Sequence, residues 1–211
     1  MRGRPFDARE ERDAERLVES LVYPLDNALE HHAALLRTMT DAATGLGNGR
    51  ALAMQLPREL RLARRCGRPL ALLRVTVDYL ESISEHHGSE VGLQAWHAVA
   101  ETLSARLRRS DMIFRTDDDA FCIVLADTEL DGAMLLADRL RREVDRCVAR
   151  DNVQFVLTTS AGITVAGESD TAETLLARAD RALTEARRAG RNQLRGLAPP
   201  DPTDDDEPPA A

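Results

Sequence analysis

Three consecutive carboxylates, Asp117-Asp118-Asp119, form a dense run of candidate ligands in the chain. Carboxylate oxygens suit hard cations such as Mg²⁺ and Ca²⁺. Consecutive residues of an extended chain point to alternate faces, however, so three in a row do not converge on one ion. That geometry favours a solvated acidic turn over a metal site. The cations are of one kind: all 28 are Arg and none is Lys. Arg makes bidentate contacts to phosphate and stacks on bases, so any nucleotide site in this chain would use it. His86-His87 reads as a surface helix end, and His32 as a tolerated polar residue in a helical seam rather than a ligand. Cys66, Cys122 and Cys147 are odd in number and widely spaced. That usage fits a reducing, cytoplasmic setting, with Cys122 a small hydrophobe on a strand.

The chain that must position these groups has 211 residues, 43% hydrophobic and 30% charged, which suits one globular domain with appendages. Aromatics are only 3%, so Leu, Val, Ile and Ala must build the core. A net charge of -8 argues against a nucleic-acid partner, which demands a basic face. No apolar run approaches the roughly 18 residues of a membrane span. The start, Met1 to Glu15, is too charged for an export signal.

Residues 1–40 are expected to be an N-terminal helix. Val18, Leu21, Leu25, Ala28, His32, Leu35 and Met39 recur at steps of three and four, the seam of a dimerising coiled coil, interrupted by Pro24. The same stripe could instead fold back on its own domain. A turn-rich break at Asp41–Asn48 precedes a helix capped by Asn48 and running to about Cys66, with a bend expected at Pro57. Leu70 to Asp78 reads as a buried central strand. Helices follow near Tyr79–Glu85 and from Ser89 to about Leu107, then a hairpin of Asp111–Arg115 and Phe121–Leu125. A helix over Glu129–Ala149, a strand over Val153–Val165, a helix over Ala172–Ala189 and a short strand at Gln193–Arg195 complete the pattern. Trp96 on the long helix reads as a core residue or an interface anchor. The order implies an α/β (α+β) sandwich, a mixed central sheet flanked by helices. The tail from 197 to 211, with its Asp run and Pro-Pro pairs, cannot form a core and is expected to be disordered.

From about Asp41 to Leu194 the sequence resembles the GGDEF (diguanylate cyclase) domain family. Asp41…Thr44-Gly45-Leu46…Asn48 matches the family's opening D-x-L-T-G-L-x-N-R, and Pro69-Leu-Ala-Leu-Leu73 its lead into the first strand. Leu157-Thr-Thr-Ser-Ala-Gly-Ile163 is similar to V-T-x-S-x-G-V, and Ala179-Asp-Arg-Ala-Leu183…Gly190-Arg-Asn192 to the closing motif. The resemblance implies a nucleotidyl-cyclase-like domain over 41–196. Family members condense two GTP into cyclic di-GMP across a dimer, with two metal ions in each half-site.

Against that pattern the site residues depart. The signature hairpin G-G-[DE]-E-F falls on Asp117-Asp118-Asp119-Ala120-Phe121. Glycines there allow close nucleotide approach, whereas a carboxylate about 4 Å from a phosphate charge costs about 4 kcal/mol at an effective dielectric near 20. The catalytic Glu is Ala120, and Asp119 stands at the family's acidic metal-ligand position. The D-x-D-x-F-K motif aligns with Thr76-Val77-Asp78-Tyr79-Leu80-Glu81, which puts Thr76 at the first metal-ligand Asp and Glu81 at the phosphate-side Lys. The guanine-reading positions carry Ser84 and Leu93. Arg187 and Arg191 remain as phosphate contacts.

The family's inhibitory site, marked by R-x-x-D just before the hairpin, matches Arg108-Arg109-Ser110-Asp111, with Arg139 completing it. Arg108 suits a guanine N7/O6 edge or a phosphate, Asp111 the guanine N1 and N2 donors, and Arg139 a base or phosphate. Arg108 to Asp111 also reads as a helix C-terminus, its Arg complementing the dipole and paired with a surface carboxylate. The expectation is a catalytically inactive GGDEF-like receptor for cyclic di-GMP that needs no cofactor or metal. It would signal as a homodimer or through an unidentified protein partner. The alternatives are a nucleotide-independent interaction scaffold and, further off, a residual diguanylate cyclase.

Overall fold

A computed structural model describes Arg16 and residues 39–117, 120–145 and 157–199. By its contacts the chain divides into Met1–Thr40 and Asp41–Ala211. Apart from Arg16 and Met39–Thr40, the expected N-terminal helix and its seam lie outside the described residues, as does the tail from 200 onward.

The second unit runs β1 (Gly47–Asn48), α1 (Gly49–Cys66), β2 (Leu70–Val77), α2 (Leu80–His87), α3 (Ser89–Ser104), β3 (Met112–Asp117), β4 (Ala120–Ala126), α4 (Leu130–Val144), β5 (Thr159–Val165), α5 (Ala172–Arg188) and β6 (Leu194–Leu197). The strands form one mixed sheet in the order β1-β3-β4-β2-β5-β6. The β1/β3 and β5/β6 pairs are parallel and the others antiparallel. This is the mixed sheet flanked by helices that the sequence predicts.

Strand β2 is buried at every position, as a strand covered on both faces must be. Its odd-numbered residues Ala71, Leu73, Val75 and Val77 pack in one core with Trp96, Val99 and Leu103 of α3 and Ala137 and Leu140 of α4. Leu70 and Leu72 point the other way, into a second core with Leu52, Leu56 and Leu60 of α1 and Leu175 and Ala179 of α5. The four-residue spacing of Leu52, Leu56 and Leu60 gives α1 its buried stripe. Asn48 caps α1 by accepting from the N–H groups of Arg50 and Ala51, and α1 continues through Pro57. A capping box of Thr171 and Thr174 starts α5. Helix α5 lies so close to β5 that a Cβ on Gly162 would come within 2.2 Å of the Ala179 carbonyl and the Leu183 nitrogen.

Several boundaries differ from the sequence reading. The break before α1 contains a strand, β1, because Gly47 can lie against the Phe114 ring, where a Cβ would sit 2.6 Å from a ring carbon. Helix α3 ends at Ser104, and the N–H groups of Arg106 and Leu107 tighten onto carbonyls three residues back. Strand β5 begins at Thr159, with 151–156 outside the described residues. The last strand is shifted to Leu194–Leu197, where it pairs with β5. Among the described residues no helix is long and apolar enough to cross a membrane.

Candidate functional site

The corner after β2 is built on Asp78. This buried carboxylate accepts hydrogen bonds from the Thr158 hydroxyl (2.8 Å), the Ser160 hydroxyl (2.8 Å) and the Asn192 N–H (3.0 Å). Grouped with the former active site in the sequence reading, Asp78 is here a clasp that ties the end of β2 to β5 and to the loop after α5. The clasped corners carry left-handed backbone at Tyr79 (φ 59), Arg191 (φ 60) and Asn192 (φ 47). Non-glycine residues in that region are sparse and persist where the surroundings hold them. The two corners meet: the Arg191 guanidinium lies 4.7 Å above the Tyr79 ring, within cation–π range.

Beside this stacked pair opens a cavity of about 680 Å³ lined by Glu81, Ser84, Leu93, Trp96, Arg187 and Arg191, among others. Five positions expected to line the family's substrate site therefore converge: Glu81, Ser84, Leu93, Arg187 and Arg191. The Ser84 hydroxyl donates to the Leu80 carbonyl at 3.1 Å. Helices α2 and α3 cross there so tightly that a Cβ on Gly92 would meet Ser84 Oγ at 2.0 Å. Leu93 stays 45% exposed on the rim.

Thr76 and Ala120 are direct partners across β2 and β4. Both are 2% exposed, on the sheet face covered by α1 and α5. Thr76 Oγ1 is buried with no hydrogen-bond partner among the described residues, so this pair offers one hydroxyl and one methyl where hard cations take charged or carbonyl oxygens. Asp117 closes β3 after a bulge. Its side chain, with Asp118 and Asp119, lies outside the described residues.

Two buried arginine clusters were missed in the sequence. Arg74, on the same face as Thr76, donates to Asp180 Oδ1 (2.7 Å) and to the Thr116 hydroxyl. A lone Arg inside the apolar run Leu70–Val77 was the available signal, because a buried cation requires a partner. Arg178 bonds both carboxylate oxygens of Asp170, the Thr164 hydroxyl and the Val165 carbonyl. Burial pushes the Asp170 carboxyl up, but hydrogen bonds from Arg178, Gly167 and Thr174 outweigh it and hold the pKa below its usual value. Asp41, at the head of the opening motif, behaves likewise: burial raises it, and Thr44 and Arg115 bring it below the ordinary range. Arg115 also lies 4.8 Å over the Trp96 ring.

Arg108, Asp111 and Arg139 line a separate cavity of about 300 Å³, together with Arg106 and Glu129. Arg108 is four residues past the end of α3, so the helix-terminus reading of this motif is not met. The Asp111 carboxylate accepts the backbone N–H of Arg108 at 2.8 Å, and the Asp111 N–H returns to the Arg108 carbonyl at 3.0 Å. The motif thus closes a turn through the backbone rather than through a guanidinium–carboxylate pair. Arg139, 61% exposed, reaches Glu143 at 3.5 Å, and Glu143 also holds Arg106 at 2.5 Å.

Comparison with known proteins agrees with this geometry. The family model "Diguanylate cyclase, GGDEF domain" matches residues 38–193. Response regulator PleD of Caulobacter vibrioides is 33% identical over 178 residues, 82% of this chain and 39% of PleD. Diguanylate cyclase DgcP of Pseudomonas aeruginosa is 33% identical over 75% of this chain and 24% of its own length. The chain thus spans well under half of these curated relatives. Among solved structures, the coiled coil and GGDEF domain of DgcB from Caulobacter crescentus, in complex with c-di-GMP, superposes with a TM-score of 0.77. It is 22% identical and covers 90% of this chain and 100% of that one, a likeness of fold. The GGDEF domain of TpbB (YfiN) from Pseudomonas aeruginosa gives a TM-score of 0.71 at 27% identity over 74% of this chain and 93% of its own. With the family model spanning most of the chain and the fold shared, this protein belongs to the GGDEF domain family.

Proposed function

We propose that this chain is a non-enzymatic receptor for cyclic di-GMP, binding it at Arg108, Asp111 and Arg139 and passing the signal on through a homodimer or a protein partner. The observation that carries the reading is the shared cavity: Arg139, a helix and a hairpin away in sequence, opens onto the same 300 Å³ hollow as Arg108 and Asp111. Arg108 and Arg139 supply planar donors for phosphate and for a guanine edge. The cavity is at the low end for a ligand site, so it would take part of the dinucleotide and leave the rest to a second domain. The absence of cyclase activity is supported by the pair Thr76 and Ala120, one hydroxyl and one methyl at the positions where the family carries acids.

Calorimetric titration with cyclic di-GMP, beside Arg108→Ala and with GTP for comparison, tests this. Micromolar or tighter binding, lost in the variant and absent with GTP, is the expected result. No heat with cyclic di-GMP would overturn it and favour the scaffold reading, which the local role of Asp111 in closing its own turn supports.

A further inference from the structure

The Ser84 hydroxyl has one hydrogen and gives it to the Leu80 carbonyl at 3.1 Å, an oxygen that can only accept. Toward the 680 Å³ cavity that Ser84 lines, its own oxygen therefore offers lone pairs and no donor. Leu93 adjoins it, since α3 presses onto Ser84 at Gly92. Trp96, one turn further along α3, shares the face of Leu93 and lines the same cavity. Where α2 and α3 cross, a ligand thus meets an acceptor beside an apolar wall. The one acid among the described lining residues is Glu81, in the first turn of α2 next to Tyr79.

These two features separate the purines. At position 6 adenine carries an amino donor and guanine a carbonyl acceptor. An acceptor-only hydroxyl takes a hydrogen bond from the first and repels the second. At position 2 adenine has a bare C–H, which an aliphatic side chain can cover. Guanine has an amino group there and an N1–H beside it, and both donors would be stranded against Leu93.

The Tyr79 side of the cavity suits an anion. The Arg191 guanidinium lies flat over the Tyr79 ring at 4.7 Å, and a stacked guanidinium keeps its N–H donors in its own plane, clear of the ring. No hydrogen bond or ion pair occupies those donors among the described residues. Tyr79 and Arg191 both hold left-handed backbone to make this stack, strain of the kind kept at ligand sites. Arg187 lines the cavity as well. Two guanidiniums beside one Glu leave a modest positive charge, which matches a monophosphate of about −2 at pH 7 better than a triphosphate.

We propose that this cavity is an adenine nucleotide site, and that AMP is the form that fits it. The phosphate lies on Arg191, the 6-amino group on the Ser84 oxygen and the C2–H against Leu93. A volume of about 680 Å³ is ample for one nucleotide. The site is separate from the hollow at Arg108 and does not depend on cyclic di-GMP binding there.

Trp96 is the only tryptophan in the chain, so its fluorescence reports on this cavity. The full chain is titrated with AMP and with GMP, with correction for nucleotide absorbance. AMP is expected to change the emission saturably, and GMP to bind about tenfold more weakly or worse, the ratio that one stranded polar group commands. Leu93→Asp, at a 45% exposed position, supplies an acceptor for the guanine donors and is expected to reverse the order. Arg191→Gln is expected to weaken AMP about tenfold. Equal or tighter GMP binding by the native chain would overturn the proposal and make Glu81 the reader of the base. No response to either nucleotide at millimolar concentration, or AMP binding indifferent to both substitutions, would overturn it as well.

Discussion

Thr76 and Ala120 face each other across the two central antiparallel strands, and the Thr76 hydroxyl is buried without a partner among the described residues. A buried polar atom left unsatisfied costs roughly 1–3 kcal/mol. Thr76→Val keeps the shape and removes the hydroxyl, so stability should hold or rise by up to about 1 kcal/mol. Urea unfolding of the two proteins measures this. A clear loss would mean that the hydroxyl has a partner in solution.

The same pair bears on catalysis. With GTP and Mg²⁺ or Mn²⁺, no cyclic di-GMP should form above background on the receptor reading, because the facing pair Thr76 and Ala120 contributes no carboxylate where the family carries acids. Chromatographic detection of product from the purified protein is the check, and measurable turnover would remove the receptor reading as stated.

Arg178 and Asp170 form a buried pair, each side chain 6% exposed. Removing one partner strands the other charge, so Asp170→Ala or Arg178→Ala should cost about 3–5 kcal/mol by denaturant unfolding. Replacing both together with apolar residues of similar volume should recover much of that loss.

Asp41 and Asp170 both have carboxyl pKa values held below 3.8 in the folded state. The unfolded chain therefore binds protons first as pH falls, and folding is opposed. The stabilisation from these groups is fully present above about pH 4–5 and is lost as pH drops through and below 3.8 toward the folded values. Unfolding curves across that range should show stability falling with pH. Asp41→Asn should flatten the slope, since it removes one of the depressed groups.

Gly162 allows α5 to approach β5. Gly162→Ala would place a methyl 2.2 Å from backbone atoms of Ala179 and Leu183, where no side chain can rotate away. A loss of about 3 kcal/mol is expected, the upper end of the usual cost of overpacking a core, because the clash is with backbone. Thermal unfolding of the variant reads it.

Most of the element order was legible because it rests on local pattern. Leu52, Leu56 and Leu60 repeat at helical spacing, Asn48 is a capping residue, and Leu70–Val77 is an apolar run too short for a helix that crosses the core. Strand β1 escaped because two residues carry no periodicity and gain their pairing only from Phe114 and Arg115, far along the chain. The motifs likewise marked Glu81, Ser84, Leu93, Arg187 and Arg191 as one group, and they share one cavity.

By itself, then, the sequence determined the family, the alternation of buried and exposed faces, and the residue types available at each site, since these depend on identity and spacing along the chain. Only the tertiary structure decided the partners. Asp78 became a clasp because Thr158, Ser160 and Asn192 arrive from other elements. Arg74 is tolerated in a core strand because Asp180 meets it from α5. Arg108 and Arg139 face one hollow because α4 packs beside the turn after α3. Hydrogen bonds and ion pairs act over a few ångströms, and no spacing in sequence states which distant groups will come that close.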